Sequence, residues 1–133
     1  MIERARKVAL GAGEILVQKL EQGFSIEHKG SIDLVTDADK AAEKFVVEQL
    51  QKLFPQHGIL GEEGARIEGT TDYLWVIDPI DGTTNFAHAF PYFAVSLGLV
   101  KGNEVVLGVV YNPVSKECFW AEKGGGAFLN GEK

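Results

Sequence analysis

A single cysteine, Cys118, stands among 133 residues, so no disulfide can form within the chain. Nothing in the sequence approaches the roughly 18 consecutive apolar residues that a membrane span requires. The first twenty residues, Met1 to Leu20, mix charged with apolar side chains from the start and lack the unbroken apolar segment of a secretory leader. These absences set the expectation of a soluble, cytoplasmic protein with no membrane partner. Positive charge is also scarce: 13 Lys and Arg face 19 Asp and Glu, for a net charge of -6. That balance argues against a nucleic-acid backbone as the main partner, and Arg4, Arg6 and Lys7 are expected to be a solvated helix face. An acidic chain that takes an anionic ligand needs its local sign reversed, and a bound divalent cation does this. The 45% apolar content is enough for one domain with a real core.

From Ile2 to about Gln22, apolar residues recur every three to four positions (Ala5, Val8, Ala12, Ile15, Leu16). This predicts an amphipathic helix that ends near Gly23. A short extended segment, Ser25 to Lys29, is expected next. A second helix starts at Thr36, buries Ala42, Phe45, Val46, Leu50 and Leu53, and stops at Pro55. Beyond it the pattern turns to strands. Gly58 to Leu60 is brief, and Tyr73 to Ile77 is a continuous apolar run of the kind expected when both faces are buried. Phe93 to Val100, Glu104 to Tyr111 and Glu117 to Ala121 are separated by turn signals and predict an antiparallel meander. Glu63 to Asp72 reads as an exposed, mobile loop. Ala127 to Leu129 begins another strand, and Asn130-Gly131 is a hairpin turn with almost nothing after it. The expectation is one α+β domain over residues 1–133, two helices packed on a mostly antiparallel sheet, from a chain that stops in mid-hairpin and is part of something longer.

Three segments carry chemistry. In Trp75-Val76-Ile77-Asp78-Pro79-Ile80-Asp81-Gly82-Thr83-Thr84-Asn85, a strand is expected to end at Asp78, because Pro79 cannot donate to a ladder. A turn would then bring Asp81 close. Two carboxylates so placed repel, and a hard cation with a taste for oxygen ligands removes the conflict; the Ile80 carbonyl is a further donor. Gly82 permits close backbone approach, and amides at a helix start bind phosphate. The second segment is Gly61-Glu62-Glu63-Gly64, at the end of a strand, from which a glutamate can reach the same cleft. In the third, Asp33-Leu34-Val35-Thr36-Asp37-Ala38-Asp39, Thr36 and Asp39 have capping-box spacing. A calcium loop at Asp37 and Asp39 is excluded by the missing loop glycine and distal glutamate. No nucleophilic side chain is apparent: Cys118 lies in an apolar strand, and His28, His57 and His88 are isolated and expected to be structural or solvated.

These segments, in this order, resemble the inositol monophosphatase family. The resemblance runs from the first helix to the closing Gly124-Gly125-Gly126-Ala127-Phe128-Leu129-Asn130-Gly131. It implies the first half of the layered α/β sandwich of inositol monophosphatases and sugar phosphatases, carrying the metal and phosphate sites. By that resemblance Glu62, Asp78 and the Ile80 carbonyl hold a first Mg²⁺, Asp78 and Asp81 share a second, and Glu62 helps place a third. Thr83, hydrogen-bonded to Asp39, activates the attacking water, and the amides of Gly82 and Thr83 hold the phosphate. Glu62 and Asp81 face the substrate through the ions. Lys29 and Glu63 are secondary candidates, and Asp37 has no role. The implied reaction is in-line attack of metal-activated water on a phosphate monoester.

Thr83-Thr84-Asn85 after Asp81-Gly82 favours inositol monophosphate, or a similar small polyol or sugar phosphate, over the nucleotidase branch, which carries Thr-Lys-Glu there. Fructose-1,6-bisphosphatase, phosphoadenosine nucleotidase and a non-catalytic regulatory or binding module are the alternatives. Lithium inhibition and a homodimer also belong to the resemblance. The family's second half supplies one more aspartate ligand, so the 133 residues alone are expected to bind Mg²⁺ weakly and to have little turnover.

Overall fold

The computed structural model describes residues 1–23, 26–29, 33–88 and 92–132, with only the backbone described for 26–29 and 33–35. The chain runs α1 (Ile2–Gln22), β1 (Ile26–Lys29), β2 (Asp33–Thr36), α2 (Asp37–Leu53), β3 (Gly58–Gly61), β4 (Arg66–Ile67), β5 (Tyr73–Asp81), α3 (Thr83–Ala87), β6 (Ala94–Lys101), β7 (Glu104–Asn112), β8 (Glu117–Glu122) and β9 (Gly126–Leu129). No helix among the described residues is long and apolar enough to cross a membrane.

The apolar stripe of α1 is Ala5, Val8, Ala9, Ala12 and Leu16, with Gly13 among them. Ile15, expected in that stripe, is only half-buried. Two helical glycines cost about 1 kcal/mol each in propensity, and packing explains both. A Cβ on Gly11 would lie 2.6 Å from the Phe45 ring of α2, and one on Gly13 would lie 2.5 Å from the Tyr111 ring of β7. Both glycines let α1 press closely on its neighbours. The helix ends where expected, at Gly23, whose φ of 97° no side chain tolerates easily. Across the helix pair, Lys19 Nζ lies 3.5 Å from Asp37 Oδ2, so Asp37 has a structural contact where none was assigned.

The expected capping box opens α2: Thr36 Oγ1 accepts the Asp39 N–H, and Asp39 Oδ2 accepts the Thr36 N–H at 2.8 Å. Phe54 closes the helix by donating its N–H to Leu50, and Pro55 prevents another turn.

β1 and β2 form a separate antiparallel pair. The other seven strands lie in the order β4-β3-β5-β6-β7-β8-β9. All neighbours are antiparallel except β3 and β5, which run parallel. The architecture is therefore the expected α+β layer structure, with the core between the two helices and one face of the sheet. Ile59, Trp75, Ile77, Val95, Leu97, Leu99, Leu107, Val109 and Tyr111 fill that face.

Four expectations need correction. The run Tyr73 to Ile77 is not buried on both faces: Trp75 and Ile77 are buried, but Val76 is 42% exposed. Alternate residues of a strand point to opposite faces, and nothing among the described residues covers the second one. Leu60, Val110 and Phe119 are exposed as well. The supposed loop Glu63 to Asp72 contains β4, which pairs Ile67 with Ile59 and Arg66 with Leu60. Arg6 is not merely solvated, because its guanidinium sits 3.6 Å from the centroid of the Trp120 ring. Finally, β5 does not stop at Asp78 but continues to Asp81 through a register shift.

A candidate metal and phosphate site

That register shift builds the site. Asp78 pairs with Ser96 and Asp81 pairs with Ala94, so Pro79 and Ile80 together oppose one residue, Val95. This is a β-bulge, one of the few places in a sheet where proline fits, since the extra residue needs no ladder bond. In a regular strand, residues three apart face opposite ways. Because Ser96 and Ala94 are two apart on β6, the extra residue brings Asp78 and Asp81 to the same face. The buried Pro79 and Ile80 fill the space beneath.

Glu62 comes from the neighbouring strand end. Gly61 pairs in parallel with Ile77, and the Glu62 N–H continues the ladder to the Ile77 carbonyl at 3.1 Å. Continuing the register by one residue sets Glu62 beside Asp78, on the face that bears Leu60 and Val76. The two strands run parallel, so both deliver a carboxylate at the same end of the sheet.

The charges register one another. Asp78 is pushed up to about 6, first by burial and then by the carboxylates of Glu62 and Asp81, with a smaller contribution from Asp39; only the bond from the Ile80 N–H, 3.2 Å from its Oδ1, opposes this. Among the described residues, however, no three His, Cys, Asp or Glu side chains converge into a ready-made ligand cluster. The carboxylates share a neighbourhood without closing on one point. An all-oxygen set of this kind suits Mg²⁺, which takes only one or two carboxylates and completes its shell with water and substrate oxygens. Mutual repulsion at Asp78 is what a bound cation relieves.

After the bulge, Gly82 adopts φ 98° and ψ 41°, the left-handed region, and starts α3. A Cβ there would lie 3.0 Å from the Tyr92 carbonyl oxygen, a tight approach that adds to the preference for glycine at this φ. Burial of Phe86, edge-on to Phe93 with centroids 5.0 Å apart, holds α3 down. Its first-turn amides have no carbonyl within the helix to meet.

Thr83 Oγ1 lies 3.1 Å from Asp39 Oδ1 and 3.1 Å from the Ile80 carbonyl oxygen. One hydroxyl proton serves one of these at a time. Asp39 is fully buried, and its two oxygens divide their work: Oδ2 caps α2 and Oδ1 meets Thr83. Capping and a role at the site, which looked like alternatives in the sequence, coexist in one carboxylate.

Lys29 and His28 have side chains outside the described residues. His57 is structural: stacked on Phe54 and Tyr73, it accepts the Trp75 indole N–H through Nδ1 at 3.1 Å. His88 caps α3, with Nδ1 2.8 Å from the Thr84 carbonyl. Glu63 contributes its backbone N–H, which donates to Glu43 Oε1. Glu43 itself was missed in the sequence, although an acid four residues after Asp39 and next to Ala42 in a buried stripe was a usable signal.

The architecture recurs in known proteins. The inositol monophosphatase family matches residues 1–133. The chain is 47% identical to an inositol-1-monophosphatase of Caulobacter vibrioides, aligned over 100% of this chain and 52% of that protein. It is 45% identical to the Nus factor SuhB of Pseudomonas aeruginosa, over 100% of this chain and 51% of the other. The crystal structure of an extragenic suppressor protein, suhB, from Bartonella henselae superposes with a TM-score of 0.96 at 40% identity, covering 99% of this chain and 52% of that one. The chain thus spans about half the length of the curated relatives it matches. With the match extending across every residue, and the acidic bulge, the Gly82 turn and the Thr83–Asp39 pair lying within it, the chain belongs to the inositol monophosphatase family.

Proposed function

We propose that residues 1–133 are the metal- and phosphate-binding half of a Mg²⁺-dependent phosphate monoesterase acting on inositol monophosphate or a close polyol or sugar phosphate. The observation that carries the reading is the bulge between Asp78 and Asp81, which sets two carboxylates on one face beside Thr83. Magnesium, when bound, supplies Lewis acidity that lowers the pKa of water and neutralises phosphoryl charge. In this reading Glu62, Asp78 and the Ile80 carbonyl would hold one ion, Asp78 and Asp81 another, and Glu62 would help with a weaker third. Thr83 would donate its proton to Asp39, leaving a lone pair of Oγ1 to accept a hydrogen bond from the attacking water. Asp39 fixes that polarity because its oxygens accept and never donate while ionised. The amides of Gly82 and Thr83 hold the phosphoryl oxygens at the start of α3. Lys29 and Glu63 are peripheral contributors.

A second half, of the kind the longer relatives have, would complete the second ion's shell and contact the alcohol. The 133 residues alone therefore bind Mg²⁺ weakly and turn over little. Cytoplasmic residence, lithium inhibition and a homodimer belong to the same reading of the whole protein.

The test compares the chain alone with the chain completed by the second half of its Caulobacter relative. Phosphate release is followed with and without Mg²⁺ on inositol phosphates, fructose 1,6-bisphosphate and phosphoadenosine nucleotides. Release from inositol phosphates only by the completed, Mg²⁺-loaded protein is expected. No Mg²⁺-dependent release from any substrate would overturn the reading. A second reading, a regulatory module that keeps the fold, is favoured by one observation: the close relative from Pseudomonas aeruginosa is named a Nus factor. A biological activity that survives Asp81→Asn would support it.

A further inference from the structure

Glu43 is 5% exposed, on the face of α2 that packs against the sheet. Burying a carboxylate is costly unless its oxygens are bonded. Here Oε1 accepts the Glu63 N–H at 2.9 Å and Oε2 accepts the Ala65 N–H at 3.0 Å. Each oxygen thus takes a different rung of the turn that follows β3, and a fork of two charge-assisted bonds spans it. The residue between β3 and this fork is Glu62.

Two further features fit the same arrangement. A Cβ on Gly61 would lie 2.5 Å from Glu43 Oε1 and 2.8 Å from Oε2. The missing side chain at 61 is therefore the space through which the carboxylate reaches the turn, and Gly61 has no positive φ that would otherwise call for glycine. On the other side, the Gly61 N–H donates to the Ala65 carbonyl at 2.8 Å, and the Glu62 N–H donates to Ile77 at 3.1 Å. Glu62 is thus clamped between a strand bond before it and the Glu43 fork after it. One turn earlier on the same helix, Asp39 holds Thr83. Residues 39 and 43 lie four apart on one face of α2, so a single helix sets both the group facing water and the strand end bearing a metal ligand.

We infer that Glu43 is a positioning residue for Glu62: it fixes the Glu62–Ala65 turn by its two amides so that the Glu62 carboxylate faces Asp78, without itself touching the cation. This rests on the metal-site reading above. Partners that orient a ligand in this way typically change metal affinity about 10- to 100-fold when removed.

The experiment uses the 133-residue chain, with Mn²⁺ as the probe, its binding read by electron paramagnetic resonance and amide protection by hydrogen exchange. Glu43→Ala is expected to abolish protection at Glu63 and Ala65, to leave the Leu97 and Val109 amides protected, and to raise the Mn²⁺ Kd about tenfold or more. Glu62→Ala should do the same to the Kd. The double variant should be no worse than Glu62→Ala, because Glu43 acts only through Glu62. Glu43→Gln, which keeps one acceptor, should lose protection at one of the two amides and raise the Kd by a smaller factor; it also serves if Glu43→Ala does not fold. Glu48→Gln, on the exposed face of α2, controls for loss of a negative charge and should leave the Kd within twofold.

Lost protection at Glu63 and Ala65 with an unchanged Kd, or an additive double variant, overturns the inference while the metal site stands. If Glu62→Ala leaves the Kd unchanged, the metal-site reading fails as well, and the two failures are told apart by that one variant.

Discussion

The two ends of the sheet are built by different rules. At the end formed by β4, β3 and β5, the β3–β5 pair runs parallel, a bulge interrupts β5, Gly82 sits in the left-handed region, and the carboxylates of Asp39 and Glu43 are buried. At the other end, β6 to β9 form a meander. Its register runs unbroken from Val95↔Tyr111 to Leu99↔Leu107 and throughout β7–β8, with a shift only beyond Leu99, remote from Asp78 and Asp81, and apolar side chains fill its inner face. Its charges stay outside, as in the Lys123–Glu104 ion pair. Strain and like-charge repulsion reduce stability and persist only where surrounding structure holds them in place. Here the irregular end is braced by α2 and by pairing with the regular one. In the proposed reading, chemistry and stability would therefore draw on different residues.

Four measurements test that division, in falling order of effect. Leu97→Ala empties a fully packed position of the meander and should cost about 2–5 kcal/mol by urea denaturation, while Mn²⁺ affinity of the folded chain stays unchanged. A parallel fall in affinity would show the two ends coupled. Asp81→Asn, in the chain completed by the second half of its Caulobacter relative, should lower Mg²⁺-dependent phosphate release by about 100-fold or more, with the thermal midpoint within a few degrees of the parent. Asp78→Asn should act in the opposite sense on stability. The raised pKa of Asp78 means that its favourable contribution is present below 3.8 and is lost as pH rises through about 6. At pH 8, without metal, the variant should gain about 1 kcal/mol, less than the whole shift implies because the group is half-exposed, while losing affinity for Mn²⁺. No gain would mean that the neighbouring carboxylates do not strain this end.

The smallest effect concerns His57, whose pKa burial pushes below 6.5. Above 6.5 both folded and unfolded chains hold it neutral. As pH falls below 6.5 the unfolded chain takes up the proton first, and stability declines until the folded pKa is passed. Measured in the Asp78→Asn background, to remove the opposing titration, stability should fall as pH drops from about 7.5 to about 5.5. His57→Phe should flatten that slope.

Local signals in the sequence were enough for the regular parts. The spacing of Ala5, Val8, Ala12 and Leu16, the Thr36–Asp39 box and the turns after Val100 and Tyr111 each depend on neighbours in the chain, and the structure follows them. The Asp78–Asn85 segment likewise marked the glycine turn at Gly82 and the short helix it opens. What stayed hidden depends on pairing between distant segments. The bulge at Pro79 exists only against β6, and a strand read alone appeared to end there. β4 is two residues long and is defined by β3. An unbroken apolar run suggested two buried faces for β5, but whether the second is covered depends on elements elsewhere. Glu43 looked like one charge among many, because its meaning lies in two amides 20 and 22 residues away.

The chain has two tryptophans, and one lies in each region. Trp75 is fully buried three residues before Asp78, with its indole N–H on His57; Trp120 is stacked on Phe128 in the meander beneath the guanidinium of Arg6. An arginine keeps its charge at any working pH, whereas an imidazole does not. Acidification should therefore quench the emission of Trp75 and leave that of Trp120 constant. With each tryptophan replaced by phenylalanine in turn, one titration would follow each half of the sheet separately.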